Sequence, residues 1–145
     1  MSSSSNQGQT RLLIVEDVPQ VAQYIRGLLN TQASVRLLDV LTDGGKAIAQ
    51  ITELRPDVVV LHFGGNDDHG YMTGLPKGVS IGDFGTPSWR KEYGRRVGGV
   101  MDTVGRAGGH TIWLGLPITR SAAQTQRFDV INAVVVREAR KRPET

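Results

Sequence analysis

Apolar residues recur along this chain with two alternating periods. Leu12-Leu-Ile-Val15 is a short run rich in branched side chains and ends in Glu16-Asp17. That is the pattern of a strand buried on both faces. Val18, Val21, Ala22, Ile25, Leu28 and Leu29 then fall at helical spacing and predict an amphipathic helix to about Asn30. Asp17 is placed to cap it, and Pro19 is tolerated in its first turn. Val35 to Leu41 predicts a second strand. Gly44-Gly45 makes a turn, and Ala47, Ile48, Ile51 and Leu54 mark a second helix. Arg55-Pro56 stops that helix, because proline disfavours helical geometry in the residue before it. Val58-Val-Val-Leu61 predicts the third strand.

The texture changes from Gly64 to Gly85, where Gly, Asp, Asn, Lys and Pro dominate. A loop of that length in a compact domain is usually functional or mobile. Thr86-Pro87 opens a third helix with Trp89, Tyr93, Val97, Val100, Met101 and Val104 on one face. Aromatics at that spacing predict core packing, and Gly108-Gly109 ends the helix. The fourth strand is expected over 111–116, and a last helix from about Ser121 to Arg142 with Phe128, Ile131 and Val135 on its buried stripe.

Strands alternating with helices imply right-handed crossovers and a parallel sheet. The expected fold is a three-layer α/β flavodoxin-like sheet with strand order 2-1-3-4 and without the usual fifth strand. It forms one domain over 11–142 behind a flexible polar tail, 1–10. Strand 111–116 is then an open edge, to be paired with a second copy in a homodimer or covered by the 64–85 loop or a terminus.

Composition removes several classes of function. With no cysteine, disulfide scaffolds, thiol catalysis and Cys-ligated zinc are excluded. The net charge of +3 is small, and its densest basic run, Arg137 to Arg142, lies at a helix C-terminus where cations favour the dipole. Without an aromatic–basic groove pattern, nucleic acid is not an expected partner. No run approaches 18 apolar residues and the first residues lack an apolar core, so neither a membrane span nor a signal peptide is expected. The expected location is cytoplasmic.

Candidate chemistry is sparse. Glu16 and Asp17 end a strand on the side where open α/β sheets bind ligands, and two carboxylates with waters suit weak Mg²⁺ binding. The plainer alternative is a helix cap beside one solvated acid. Asp57 starts the third strand and lies at the opposite end. Asn66 is a candidate oxyanion donor, or simply part of an Asn-Asp turn. His62, His69 and His110 have no zinc-ligand spacing. Ser80, Ser88 and Ser121 lie near loops, without a Gly-x-Ser-x-Gly elbow. Gly44-Gly45-Lys46 lacks the spacing of a phosphate loop.

Two resemblances overlie this pattern. Arg11-Leu-Leu-Ile-Val-Glu-Asp-Val-Pro-Gln and Glu53-Leu-Arg-Pro-Asp-Val-Val-Val-Leu resemble a response-regulator receiver domain, over about residues 11–61. That resemblance implies Mg²⁺ ligands at Glu16 and Asp17, but the phospho-accepting aspartate of the family is replaced here by His62. Phosphotransfer is not expected without that carboxylate.

Phe63-Gly-Gly-Asn66-Asp67, Phe84-Gly-Thr-Pro-Ser-Trp-Arg-Lys-Glu-Tyr93, Ile112-Trp-Leu-Gly-Leu-Pro117 and Asn132-Ala resemble an SGNH/GDSL-type hydrolase of a bacterial periplasmic subgroup, over about 57–142. This implies an oxyanion-hole asparagine at Asn66. The family's nucleophilic serine falls where this chain reads Glu16-Asp17-Val18, and its Asp-x-x-His falls beyond Thr145. Two half-domains meeting within 57–62 lead to the expectation of an engineered chimeric scaffold that is not an enzyme and needs no cofactor. The alternatives are a vestigial ester hydrolase using Asn66, and a weak Mg²⁺ binder without phosphotransfer.

Overall fold

A computed structural model describes residues 8–145. Four strands and four α-helices alternate: β1 (Thr10–Glu16), α1 (Pro19–Leu29), β2 (Val35–Leu41), α2 (Ala47–Leu54), β3 (Val58–His62), α3 (Pro87–Arg106), β4 (His110–Trp113) and α4 (Ala122–Arg140). A short 3₁₀ turn, Gly44–Lys46, precedes α2. The sheet is parallel, with order β2-β1-β3-β4. This is the three-layer α/β arrangement expected from the alternation of periods.

Each face of the sheet buries a separate cluster, because side chains alternate along every strand. Leu13, Val15, Val59 and Leu61 pack beneath Ala47 and Ile51 of α2 and Val104 of α3. Leu12 and Ile14 face the other way, against Ala22 of α1, with Val58 and Val60 beside them. Burying that much branched apolar surface is what drives the sheet together, at roughly 25 cal/mol per Å².

A third cluster joins α3 to α4. Trp89, Tyr93, Val97 and Met101 meet Phe128, Ile131, Val134 and Val135, so the aromatic stripe is core. Gly94 and Gly98 of α3 make this approach close: a Cβ at Gly94 would stand 2.9 Å from Glu138 Oε1, and one at Gly98 2.5 Å from Arg142 Nη2. Glu138 is buried there among Arg137, Lys141 and Arg142. Burial alone would raise its carboxyl, but hydrogen bonds from Lys141 and Arg142 hold it below the ordinary range.

Local signals set most element ends. Thr86 Oγ1 accepts from Trp89 N–H at 3.3 Å and Ser121 Oγ from Gln124 N–H at 3.2 Å, so hydroxyls cap α3 and α4. Arg55 adopts a left-handed conformation, φ 46°, to end α2 before Pro56.

Three boundaries differ from expectation. Asp17 does not cap α1: Val18 is the N-cap residue and has no side-chain cap, while Glu16 Oε1 accepts the Val18 N–H at 3.0 Å. β4 closes at Trp113 instead of reaching residue 116: the Leu114 N–H still donates to the Leu61 carbonyl, but Leu116 bonds the Asn132 side chain, its N–H donating to Oδ1 and its carbonyl accepting from Nδ2. β1 begins at Thr10, whose N–H donates to the Ser34 carbonyl, so the expected tail is shorter; residues 1–7 of it lie outside the described residues.

Candidate functional site at the carboxyl edge of the sheet

The strands end together at one edge, with Glu16 closing β1 and His62 closing β3 as register partners. Their side chains meet directly: His62 Nδ1 is hydrogen-bonded to Glu16 Oε2. Glu16 is completely buried, whereas the His62 side chain keeps 34% of its surface exposed. Both Glu16 oxygens are therefore occupied by protein, one by Val18 N–H and one by the imidazole. Partial burial of its carboxyl, followed by the neighbouring Glu16 charge, raises Asp17 above the ordinary carboxylate range.

This arrangement bears on Mg²⁺ at Glu16 and Asp17. Among the described residues, no three His, Cys, Asp or Glu side chains come together in a way that could hold a metal ion. A cation there would find Glu16 already committed to His62, and water would have to complete its shell.

Beyond β3 the chain turns sharply. Asp67 N–H donates to the Gly64 carbonyl at 2.9 Å, closing a turn with Gly65 and Asn66 at its centre. Gly64 has φ 116°, and a Cβ there would lie 3.1 Å from the Tyr93 hydroxyl. The turn points Asp67 inward, where it accepts the Tyr93 hydroxyl at 2.8 Å. Asn66 is exposed, and its carboxamide makes no hydrogen bond to another described residue.

Next to this turn lies a cavity of about 300 Å³ between the 63–86 loop, α3 and the end of β4. Phe63, Val97, Val100 and Trp113 give it an apolar floor, while Asp67, His69 and Arg96 supply polar groups. Phe63 and Trp113 pack at 5.0 Å between ring centroids. The loop is tied down by Trp89 Nε1 donating to the His69 carbonyl at 2.9 Å and Arg96 Nη2 donating to the Thr73 carbonyl at 2.6 Å. Burial, then the Asp67 carboxylate, pushes the Tyr93 phenol well above its ordinary value, so the hydroxyl stays a donor.

The remaining candidates fall elsewhere. His110 opens β4 at the opposite edge, opposite Val58. Ser121 caps α4, Ser80 Oγ accepts from Gly82 N–H, and Ser88 lies in the first turn of α3. Among the described residues no serine hydroxyl is bonded to an imidazole. The sequence reading missed both the Glu16–His62 contact and the cavity. Strand ends place Glu16 and His62 at one edge of the sheet, but their contact follows from parallel register, and the cavity residues carry no linear signal.

A ligand-sized recess and a buried carboxylate–imidazole contact on the carboxyl edge of a parallel sheet define an α/β protein with its site in the usual place for this architecture. The chain belongs to the family described as "Protein of unknown function (DUF459)", matched over residues 44–145. It is 33% identical over 51 residues to protein-glutamate methylesterase/protein-glutamine glutaminase 3 of Anaeromyxobacter dehalogenans (strain 2CP-C). That match covers 35% of this chain, and the chain spans only 15% of the relative's length.

Among solved structures, TesA superimposes with a TM-score of 0.53 at 17% identity, over 88% of this chain and 74% of that one, which shows the fold. A NarL signal receiver domain from Mycobacterium tuberculosis matches at a TM-score of 0.38 and 16% identity, over 90% of this chain and 96% of that one.

These matches correct one expectation. The expectation of an engineered scaffold without activity is overturned: a single family runs unbroken from residue 44 through the supposed junction at 57–62, and the relative matched over 51 residues is named a methylesterase/glutaminase. The expectation that it is not an enzyme falls with it. That expectation rested on two resemblances meeting at 57–62 and on Glu16-Asp17-Val18 standing where the SGNH-type serine would fall. No helix among the described residues is long and apolar enough to cross a membrane.

Proposed function

We propose that this chain is an ester hydrolase of SGNH-like type, acting as one unit over 11–142. The substrate's apolar part occupies the cavity beside α3, and the Asn66 carboxamide donates to the carbonyl oxygen under attack. One observation carries the reading: the Gly64–Asp67 turn commits Asp67 to Tyr93 at the cavity wall and leaves the neighbouring Asn66 carboxamide without a protein partner. An exposed carboxamide with no protein partner, next to the cavity-lining Asp67, is available to donate to a developing oxyanion. The family match over 44–145 contains the whole stretch that resembles SGNH hydrolases, and the named relative acts on glutamate methyl esters and glutamine side chains.

The test is turnover of p-nitrophenyl esters of increasing acyl length. Saturable hydrolysis is expected, with a length optimum set by the cavity. Asn66→Ala should lower kcat by about 10²-fold, the usual loss for one oxyanion donor. Turnover that ignores both acyl length and Asn66→Ala overturns the reading.

A further inference from the structure

We propose that the groove between the start of α3 and the end of α4 binds the di- or triphosphate group of a small molecule. This site is independent of the ester-hydrolase reading, since the groove shares no lining residue with the cavity.

Charge is spread unevenly along the chain. Residues 87–145 hold eleven Lys and Arg against five Asp and Glu, a local +6 in a chain whose total is +3. Five of those cations, Arg90, Lys91, Arg95, Arg137 and Lys141, line one open groove of about 570 Å³. Among the described residues Glu138 is the one carboxylate in that lining, so five against one leaves the groove a formal +4. Setting Glu92 against Arg95, its partner at 2.8 Å, still leaves +3.

The helix ends explain only half of this. Cations at the end of α4 answer its dipole, which accounts for Arg137 and Lys141. Arg90 and Lys91 stand at the opposite kind of end. They follow Pro87 at the start of α3, where the dipole is positive, and no acid occupies that first turn. Side-chain charge and helix field therefore add in the same sense.

Most of these cations are also held in place. Arg90 Nε donates to the Gly85 carbonyl at 2.7 Å, which leaves the terminal guanidinium nitrogens unbonded among the described residues. Arg137 Nη2 donates to the Arg90 carbonyl at 3.1 Å. It reaches α3 because Gly94 has no side chain: a Cβ there would stand 2.6 Å from that nitrogen. Lys141 Nζ donates to Glu138 Oε1 at 2.9 Å and keeps two further hydrogens. Lys91 is exposed. Guanidinium forks match phosphate oxygens in pairs and ammonium groups add point charge. A single carboxylate would leave most of this charge unmatched, and a concave site of this volume takes a small molecule.

Isothermal titration of the whole chain with sodium tripolyphosphate tests the proposal. One saturable site is expected, with amide shifts confined to residues 87–95 and 137–141. Arg90→Gln combined with Lys91→Gln should weaken binding about 10-fold or more, and Lys91→Gln alone about 3-fold. The single variant decides the matter if the pair lowers the melting temperature. Arg36→Gln with Arg120→Gln removes the same charge from two exposed positions outside the groove and should change affinity by less than about 2-fold. Equal weakening by both pairs would mean a diffuse response to net charge and overturns the site. Absence of saturation overturns it too, as does tighter binding of a single-stranded oligonucleotide or an anionic lipid vesicle through Arg90 and Lys91.

Discussion

The hydroxyl of Tyr93 donates to Asp67 Oδ2 across 2.8 Å, joining the middle of a core helix to the turn that follows β3. Tyr93 also stacks on Trp89 at 4.7 Å, so the donor is fixed by packing before the turn arrives. Tyr93→Phe keeps the packing and leaves Asp67 without its partner. About 1 kcal/mol of stability should be lost, measured by urea unfolding, with faster amide exchange at residues 64–67.

The same bond has a pH signature. Tyr93 holds its proton in the folded state well above the ordinary value of 10.0. The unfolded chain releases that proton near pH 10, so stability is intact below that pH and declines as pH rises past it. Melting temperatures between pH 8 and 11 should fall more steeply for the wild type than for Tyr93→Phe. Equal slopes would contradict the assignment.

Acid has the opposite sign. Hydrogen bonding to Arg95, opposed by burial and reinforced by Arg96, lowers Glu92 from 4.5 to about 2. The stability this contributes is present above about pH 4.5 and is lost as pH falls towards 2. Arg95 is largely exposed, so solvent screening keeps its share small. Glu92→Gln should flatten the acid limb of a melting-temperature profile, lying slightly below the wild type at pH 7 and converging with it as pH falls towards 2.

Two glycines should respond in opposite directions. A Cβ at Gly109 would stand 2.5 Å from the Pro56 carbonyl oxygen, a backbone atom that cannot swing aside. Gly109→Ala should therefore cost about 1–3 kcal/mol through overpacking. Gly99 lies within α3 and has nothing within 4 Å of a Cβ, so Gly99→Ala should gain up to about 1 kcal/mol of helix propensity. Chemical denaturation of both variants measures the contrast.

The outer edge of β4 makes a prediction about assembly. His110 and Leu114 send their N–H groups towards β3, so by alternation those of Thr111 and Trp113 point outward. We expect these two amides to exchange rapidly in a monomer and to become protected if two copies pair edge to edge. Sedimentation at several concentrations, together with exchange, tells the two states apart.

The strands and their order were legible because Leu12–Val15 and Val58–Leu61 are unbroken apolar runs and the helices between them are long and periodic. The cap of α1 was not: Asp17 is a good capping residue, but Glu16 reaches the Val18 N–H first from the end of its strand. The contact between Glu16 and His62 spans 46 residues of sequence and is created by parallel register, which no local pattern encodes. Asn66 was recognisable from its motif, yet the bond that shapes its turn comes from Tyr93, a residue whose spacing spoke only of the core.

Register also governs when the Glu16–His62 contact can exist. Since Glu16 and His62 face one another only as cross-strand partners, sliding β3 by one position along β1 would send the imidazole to the opposite side and strand a carboxylate in oil. Misaligned chains are thus penalised by the buried Glu16 carboxylate, and a correctly zipped pair of central strands is the condition for satisfying it.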